Sequence, residues 1–151
     1  MSVIRPSTKD AIIEAAFEVF SQNQSASLGD VAQHAGVGRA TLHRHFPGRP
    51  ELMRALAKIA LAELDEAVEQ ATLGATSYEE GFRLSWFAIV PLANRQLFLA
   101  NEGLGTDPEI AAEYDKGLAE LRRSADAAKQ EGAFDPNVPT DWIVEAYENL
   151  I

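Results

Sequence analysis

The sequence predicts an all-α protein, with an N-terminal head of three short helices joined through a long fourth helix to a helical body. Three observations carry this. Apolar residues recur at spacings of three and four along most of the chain, which is the helical period. No stretch alternates apolar and polar in the manner of a strand. Capping residues, glycines and prolines punctuate the pattern at regular places.

Ser7-Thr8-Lys9-Asp10 reads as a capping box, a hydroxyl followed three residues on by a carboxylate. Behind it Ile12, Ile13, Ala16, Phe17 and Phe20 form the apolar face of a first helix ending near Gln22-Asn23. Ser27 with Asp30 opens a short second helix faced by Leu28, Val31, Ala32 and Ala35, and Gly36 breaks it. A third short helix spans Arg39 to His45 and stops at Phe46-Pro47-Gly48. Pro50 suits the first turn of a fourth helix, where its missing N–H does no harm. That helix is long, with Leu52, Leu56, Ile59, Leu64 and Val68 in phase until Gly74.

Ser77-Tyr78-Glu79-Glu80 is another capping box, opening a fifth helix through Phe82, Trp86 and Ile89 to a break at Pro91. A sixth runs to Glu102, before Gly103 and Gly105. Asp107-Pro108, a cap followed by proline, begins a seventh with Ile110, Tyr114, Leu118 and Leu121 on one side, ending at Gly132. Pro139-Thr140 opens an eighth, with Trp142, Ile143, Ala146, Tyr147 and Leu150 still periodic at Ile151. This last helix reads as truncated. The natural chain is expected to continue, or the helix to pack on another chain.

A length of 151 residues is that of one domain, or of a small domain with a module. Hydrophobic residues at 46% and charged residues at 24% argue against disorder. The absence of cysteine removes disulfides, Cys-ligated zinc, iron–sulfur clusters and thiol catalysis. The start MSVIRPSTKD has no apolar leader region, and no apolar stretch reaches bilayer length. The chain therefore reads as soluble and cytoplasmic, with no membrane partner. Residues 1–60 hold seven Lys+Arg against five Asp+Glu, and the rest six against eighteen. A head of net +2 thus precedes a body of −12, so a polyanion is expected to meet the head.

The informative stretch is Ser27 to Arg49, SLGDVAQHAGVGRATLHRHFPGR. Two short helices joined by a tight glycine-containing turn form a helix-turn-helix, which places its second helix in the DNA major groove. At about 100° per residue, Leu42 and Phe46 share the side that packs on the first two helices. Opposite them lie Ala40, Thr41 and Arg44, with His43 and His45 on the flanks. Groove entry asks for that layout, small or hydrogen-bonding groups toward base edges and donors at the sides for phosphates.

These residues resemble the TetR family of transcriptional repressors over the first 55 residues or so. The family's first-helix pattern stands here as Ala15-Ala16-Phe17-Glu18-Val19-Phe20. Its turn pattern stands as Ser27 followed by Val31-Ala32-Gln33-His34-Ala35-Gly36-Val37. Its recognition-helix pattern stands as Ala40-Thr41-Leu42-His43-Arg44-His45-Phe46, with Arg49 and Leu52 behind. Three positions depart from the pattern. His43 stands for the usual tyrosine, Gly38 for a serine cap, and Arg49 for lysine.

The resemblance implies that Arg39, Ala40, Thr41 and Arg44 face the bases, and that Ser27, His43, His45 and Arg49 hold the phosphates. Arg5 lies in an N-terminal arm within reach of backbone or minor groove. The resemblance also implies a helix-turn-helix DNA-binding domain at residues 1–50. Residues 51–151 would form an effector-binding and dimerisation domain, incomplete at its C-terminus. Among its aromatics, Phe82, Trp86, Phe98 and Tyr114 are the candidates for lining a pocket, against the plainer reading of all of them as core.

Other signals are weak. His43-x-His45 places its rings about 200° apart on a helix, so no metal is expected there. Gly36-Val37-Gly38 and Gly103-Leu104-Gly105 lack the strand and the third glycine of a dinucleotide loop. No nucleophile context stands out. The sequence therefore reads as a DNA-binding regulator, most simply a repressor released from a palindromic operator by a small-molecule effector. It would be a homodimer paired through its C-terminal helices, without cofactor or enzymatic activity. The alternatives are a helical interaction module with a vestigial helix-turn-helix, and a small hydrolytic or metal enzyme.

Overall fold

The computed structural model describes residues 7–101 and 107–149; Arg5, Glu102, Gly103, Gly105 and Leu150 lie outside them. Helix α1 spans Thr8–Gln22 and α2 spans Leu28–His34. Both open with the full reciprocal box, Ser7 with Asp10 and Ser27 with Asp30. Helix α2 stops because Gly36 takes φ +67. The Gly36 N–H then reaches the Gln33 carbonyl at 3.1 Å and the Val37 N–H reaches that of Ala32 at 2.9 Å. That pair is a Schellman closure, which Cβ-bearing residues seldom form.

Helix α3 spans Arg39–His45, capped by Gly38 without a side-chain hydrogen bond. Helix α4, Arg49–Thr72, is 24 residues long and passes unbroken from head to body. Helix α5 spans Tyr78–Ile89, and a turn of 3-10 helix at Val90–Leu92 accommodates Pro91 before α6, Ala93–Asn101. Helices α7, Pro108–Gln130, and α8, Thr140–Asn149, complete the described elements, and none of these is a strand. The box expected at Ser77 forms by half. Ser77 Oγ accepts the Glu80 N–H at 3.1 Å, but the Glu80 carboxylate turns to the N–H and hydroxyl of Thr76, each at 2.9 Å.

Helix α1 lies against α2 and α6, α4 packs on α5, α6 and α7, and α8 lies on α7. One apolar cluster runs from Ile12, Phe17 and Phe20 through Leu42, Leu52 and Leu56 to Phe98 and Leu99 of α6 and Ile110 of α7. The core therefore does not stop at the end of the head. Helix α8 folds onto the body: Ile143 and Val144 are buried, and Tyr147 packs on Phe82 and Trp86 with centroids 5.9 and 5.5 Å away. Of the residues expected on a pairing surface, Trp142 is exposed, at 62%. The body takes up Ile143 and Tyr147 of this apolar stripe and leaves Trp142 open. Among the described residues no helix is long and apolar enough to cross a membrane.

Candidate functional site

Leu42 at 0% and Phe46 at 4% exposure root α3 in the core. That fixes which way the rest of α3 faces. Ala40 and Arg44 are exposed and Thr41 is half-buried, together on the outward side. Arg39 is exposed but folds back over α2; a Cβ built on Gly29 would lie 3.0 Å from its Nη2. Glycine at position 29 leaves room for the guanidinium beside Asp30. The Asp30 carboxyl is held below its usual range by the Ser27 N–H, then by the Ser27 hydroxyl, with a smaller contribution from the Arg39 charge.

The flanking residues are less free than the sequence implies. His43 is exposed, with Nδ1 3.3 Å from the Pro47 carbonyl, and His45 is half-buried. The Ser27 N–H and hydroxyl both donate to Asp30 Oδ2, at 2.7 and 2.8 Å, inside the cap. Arg49 requires a correction. Its Nη1 donates to the Ala26 carbonyl and its Nη2 to that of Gln24, each at 2.5 Å. The guanidinium also sits 4.5 Å from the Phe20 ring centroid. It ties the α1–α2 turn to the start of α4 rather than facing outward for phosphate. Arg reaches two carbonyls at once through its planar fork, so the change from lysine carries structural meaning.

In the body, residues of α4 to α8 line an open cleft of about 870 Å³. Leu61, Leu64, Val68, Phe82 and Ile89 give it apolar walls. Its charged lining is Asp65, Glu69, Glu120, Glu131 and Glu148 against Lys116. Tyr114 OH donates to Glu148 Oε1 at 2.5 Å, and Tyr147 OH donates to Ser85 Oγ at 2.9 Å. Burial, and after it the Glu148 carboxylate, push the Tyr114 phenol far above its ordinary range. Burial, then the Glu113 charge, also raise the Asp65 carboxyl. Such a cleft can hold an apolar, cation-bearing molecule.

Phe82 and Tyr114 line this cleft. Trp86 lines a smaller hollow of about 300 Å³ beside it, with Phe82, Phe134 and Trp142. Phe98 is corrected to core: it is 1% exposed and meets Phe17 edge-on at 5.5 Å. Sequence reasoning missed the carboxylates. Asp65 and Glu69 lie four apart beside the apolar stripe of α4, a signal that was present. Glu148 carried none, since its place depends on α8 folding back on α7.

Residues 12–56 match the model for bacterial regulatory proteins of the tetR family. The chain is also 34% identical over 148 residues to the HTH-type transcriptional repressor LfrR of Mycolicibacterium smegmatis, covering 97% of this chain and 77% of that protein. The chain belongs to the TetR family. This TetR-family regulator superposes on LfrR from Mycobacterium smegmatis, solved in complex with proflavine, with TM-score 0.67 and 33% identity. The match covers 93% of this chain and 92% of that one. It shares its fold with the ketosteroid transcriptional regulator KstR2 of Mycobacterium tuberculosis, at TM-score 0.76 and 18% identity, over 97% and 80% of the two chains. The helix-turn-helix at α2–α3 is therefore that of a DNA-binding transcriptional regulator.

Proposed function

We propose that this regulator is a repressor released from DNA by an aromatic or amphiphilic cation bound in the cleft. Residues 1–50 act as the DNA-binding unit and residues 51–151 as the effector-binding and pairing unit. Helix α3 enters the major groove with Ala40, Thr41 and Arg44 toward the bases, and Arg39 would join them on swinging out from α2. Ser27, His43 and His45 lie beside the phosphates, and Arg49 supports them from behind. Two copies paired through their C-terminal helices would read a palindrome, because one recognition helix covers too few base pairs for specificity in a genome. The protein acts by binding and carries out no catalysis.

The cleft is the observation that carries the effector reading. Its five carboxylates against one ammonium, set among apolar and phenolic walls, favour a cation with a hydrophobic body. The relative LfrR was solved with proflavine, a ligand of that kind. Release requires the cation to prefer the conformation that does not fit DNA, since tight binding to both states shifts nothing. Titrating proflavine into a complex with the promoter fragment upstream of its own gene tests this. Fluorescence anisotropy should fall as proflavine saturates. Proflavine binding that leaves DNA affinity unchanged would refute release.

A further inference from the structure

Arg95 of α6 is a buried cation, with 7% of its surface exposed. Its Nε donates to Glu63 of α4 at 2.7 Å, and an Nη nitrogen donates to Glu14 of α1. The guanidinium also lies 4.4 Å from the Phe17 ring centroid, again on α1. Three residues further along α6, Phe98 meets the same ring edge-on at 5.5 Å. Helix α6 thus holds the first helix of the DNA-binding head by one ion pair and two contacts to a single ring. A desolvated guanidinium tolerates burial only while its carboxylates stay in place. The attachment is therefore sensitive to small displacements of either helix.

The same short helix also lines the cleft, through Gln96 and Leu99. On a helix, the Arg95–Phe98 stripe and the Gln96–Leu99 stripe are centred about 100° apart. A helix of nine residues turns as a unit, so moving one stripe moves the other. The two carboxylate partners are not equivalent. The Glu14 side chain is 54% exposed and can be taken up by water, whereas that of Glu63 is 38% exposed. Glu14 is the partner that yields first.

We propose that Arg95 is a positioning residue that relays occupancy of the cleft to α1, by holding or releasing Glu14 as α6 turns. This rests on the cleft being the effector site. An occupant pressing on Gln96 and Leu99 rotates α6, draws Arg95 from Glu14 and frees α1 to shift. Helix α4 carries Glu63 and continues into the head, so the ion-pair triad also keeps α1 and α4 in register.

The relay can be tested without knowing the effector. Gln96→Trp fills the cleft side of α6 in the full chain and mimics an occupant. It should weaken binding to the upstream promoter fragment at least tenfold when Arg95 is present, and less than twofold in an Arg95→Met background. Hydrogen exchange across residues 8–22 should rise with Gln96→Trp in the first background and show no further rise in the second. Glu14→Gln, which keeps the packing and removes the charge, should behave as Arg95→Met does and covers the case in which that variant folds poorly. Equal effects of Gln96→Trp in all backgrounds, or none in any, would overturn the relay. Failure of proflavine to bind would instead count against the cation reading of the cleft and leave this cycle intact.

Discussion

The guanidinium of Arg49 lies over the ring of Phe20, 4.5 Å from its centroid. The first residue of α4 is thereby fastened to the C-terminal half of α1, and its two donated hydrogen bonds close the turn between α1 and α2. Reading depends on such fastenings. Ser27 and the start of α2 hang from that turn, and α3 is held in turn by α2.

Arg49→Ala should therefore act on stability before it acts on DNA. A hydrogen bond to a charged group contributes about 1.5–3 kcal/mol, and removing this guanidinium leaves two carbonyls without their donors. The melting temperature should drop, while the slope of log affinity against log salt stays at the wild-type value. A shallower slope with unchanged melting would restore Arg49 to the phosphates.

On the outward face of α3, Arg44→Ala and Thr41→Ala should each cost about 1–3 kcal/mol of specific DNA binding with the fold intact. Anisotropy titrations paired with circular dichroism check this. Wild-type affinity in both variants would mean that another face of α3 meets the bases.

The buried face should answer differently. Leu42→Ala and Phe46→Ala remove side chains that anchor α3, at about 2–5 kcal/mol each. Thermal melts should show the loss before any DNA is added. An unchanged transition in both would contradict the packing of α3.

Asp30 ties the second capping box to pH. Its folded carboxyl is lowered by the hydrogen bonds from Ser27, so its contribution is present above the unfolded value of about 4. That contribution is lost as the pH falls through the still lower folded value. Melting curves of wild type and Asp30→Asn should differ at neutral pH and converge in strong acid. A gap that widens on acidification would reverse the sign.

In the body, Phe82→Ala should weaken proflavine binding by removing an aromatic wall of the cleft. Phe98→Ala should instead lower stability by about 3–5 kcal/mol, as expected of a buried ring. Fluorescence titration alongside melting separates the two effects. Loss of ligand without loss of stability in Phe98→Ala would return that ring to the cleft.

The sequence by itself determined what is local. Helix starts at Ser7, Ser27 and Asp107, the stop at Gly36 and the inward pair Leu42 and Phe46 follow from capping chemistry and helical period. These act within one or two turns of chain, so the residues that cause them lie beside their effects. The family pattern was legible for the same reason, being confined to one short stretch. Tertiary structure decided everything that depends on a distant partner. Arg49 reaches back to Gln24 and Ala26, Phe98 finds Phe17, Tyr147 turns inward, and Glu148 meets Tyr114. A polar or aromatic side chain at a given helical phase has no fixed role until the packing of the helices chooses its neighbour.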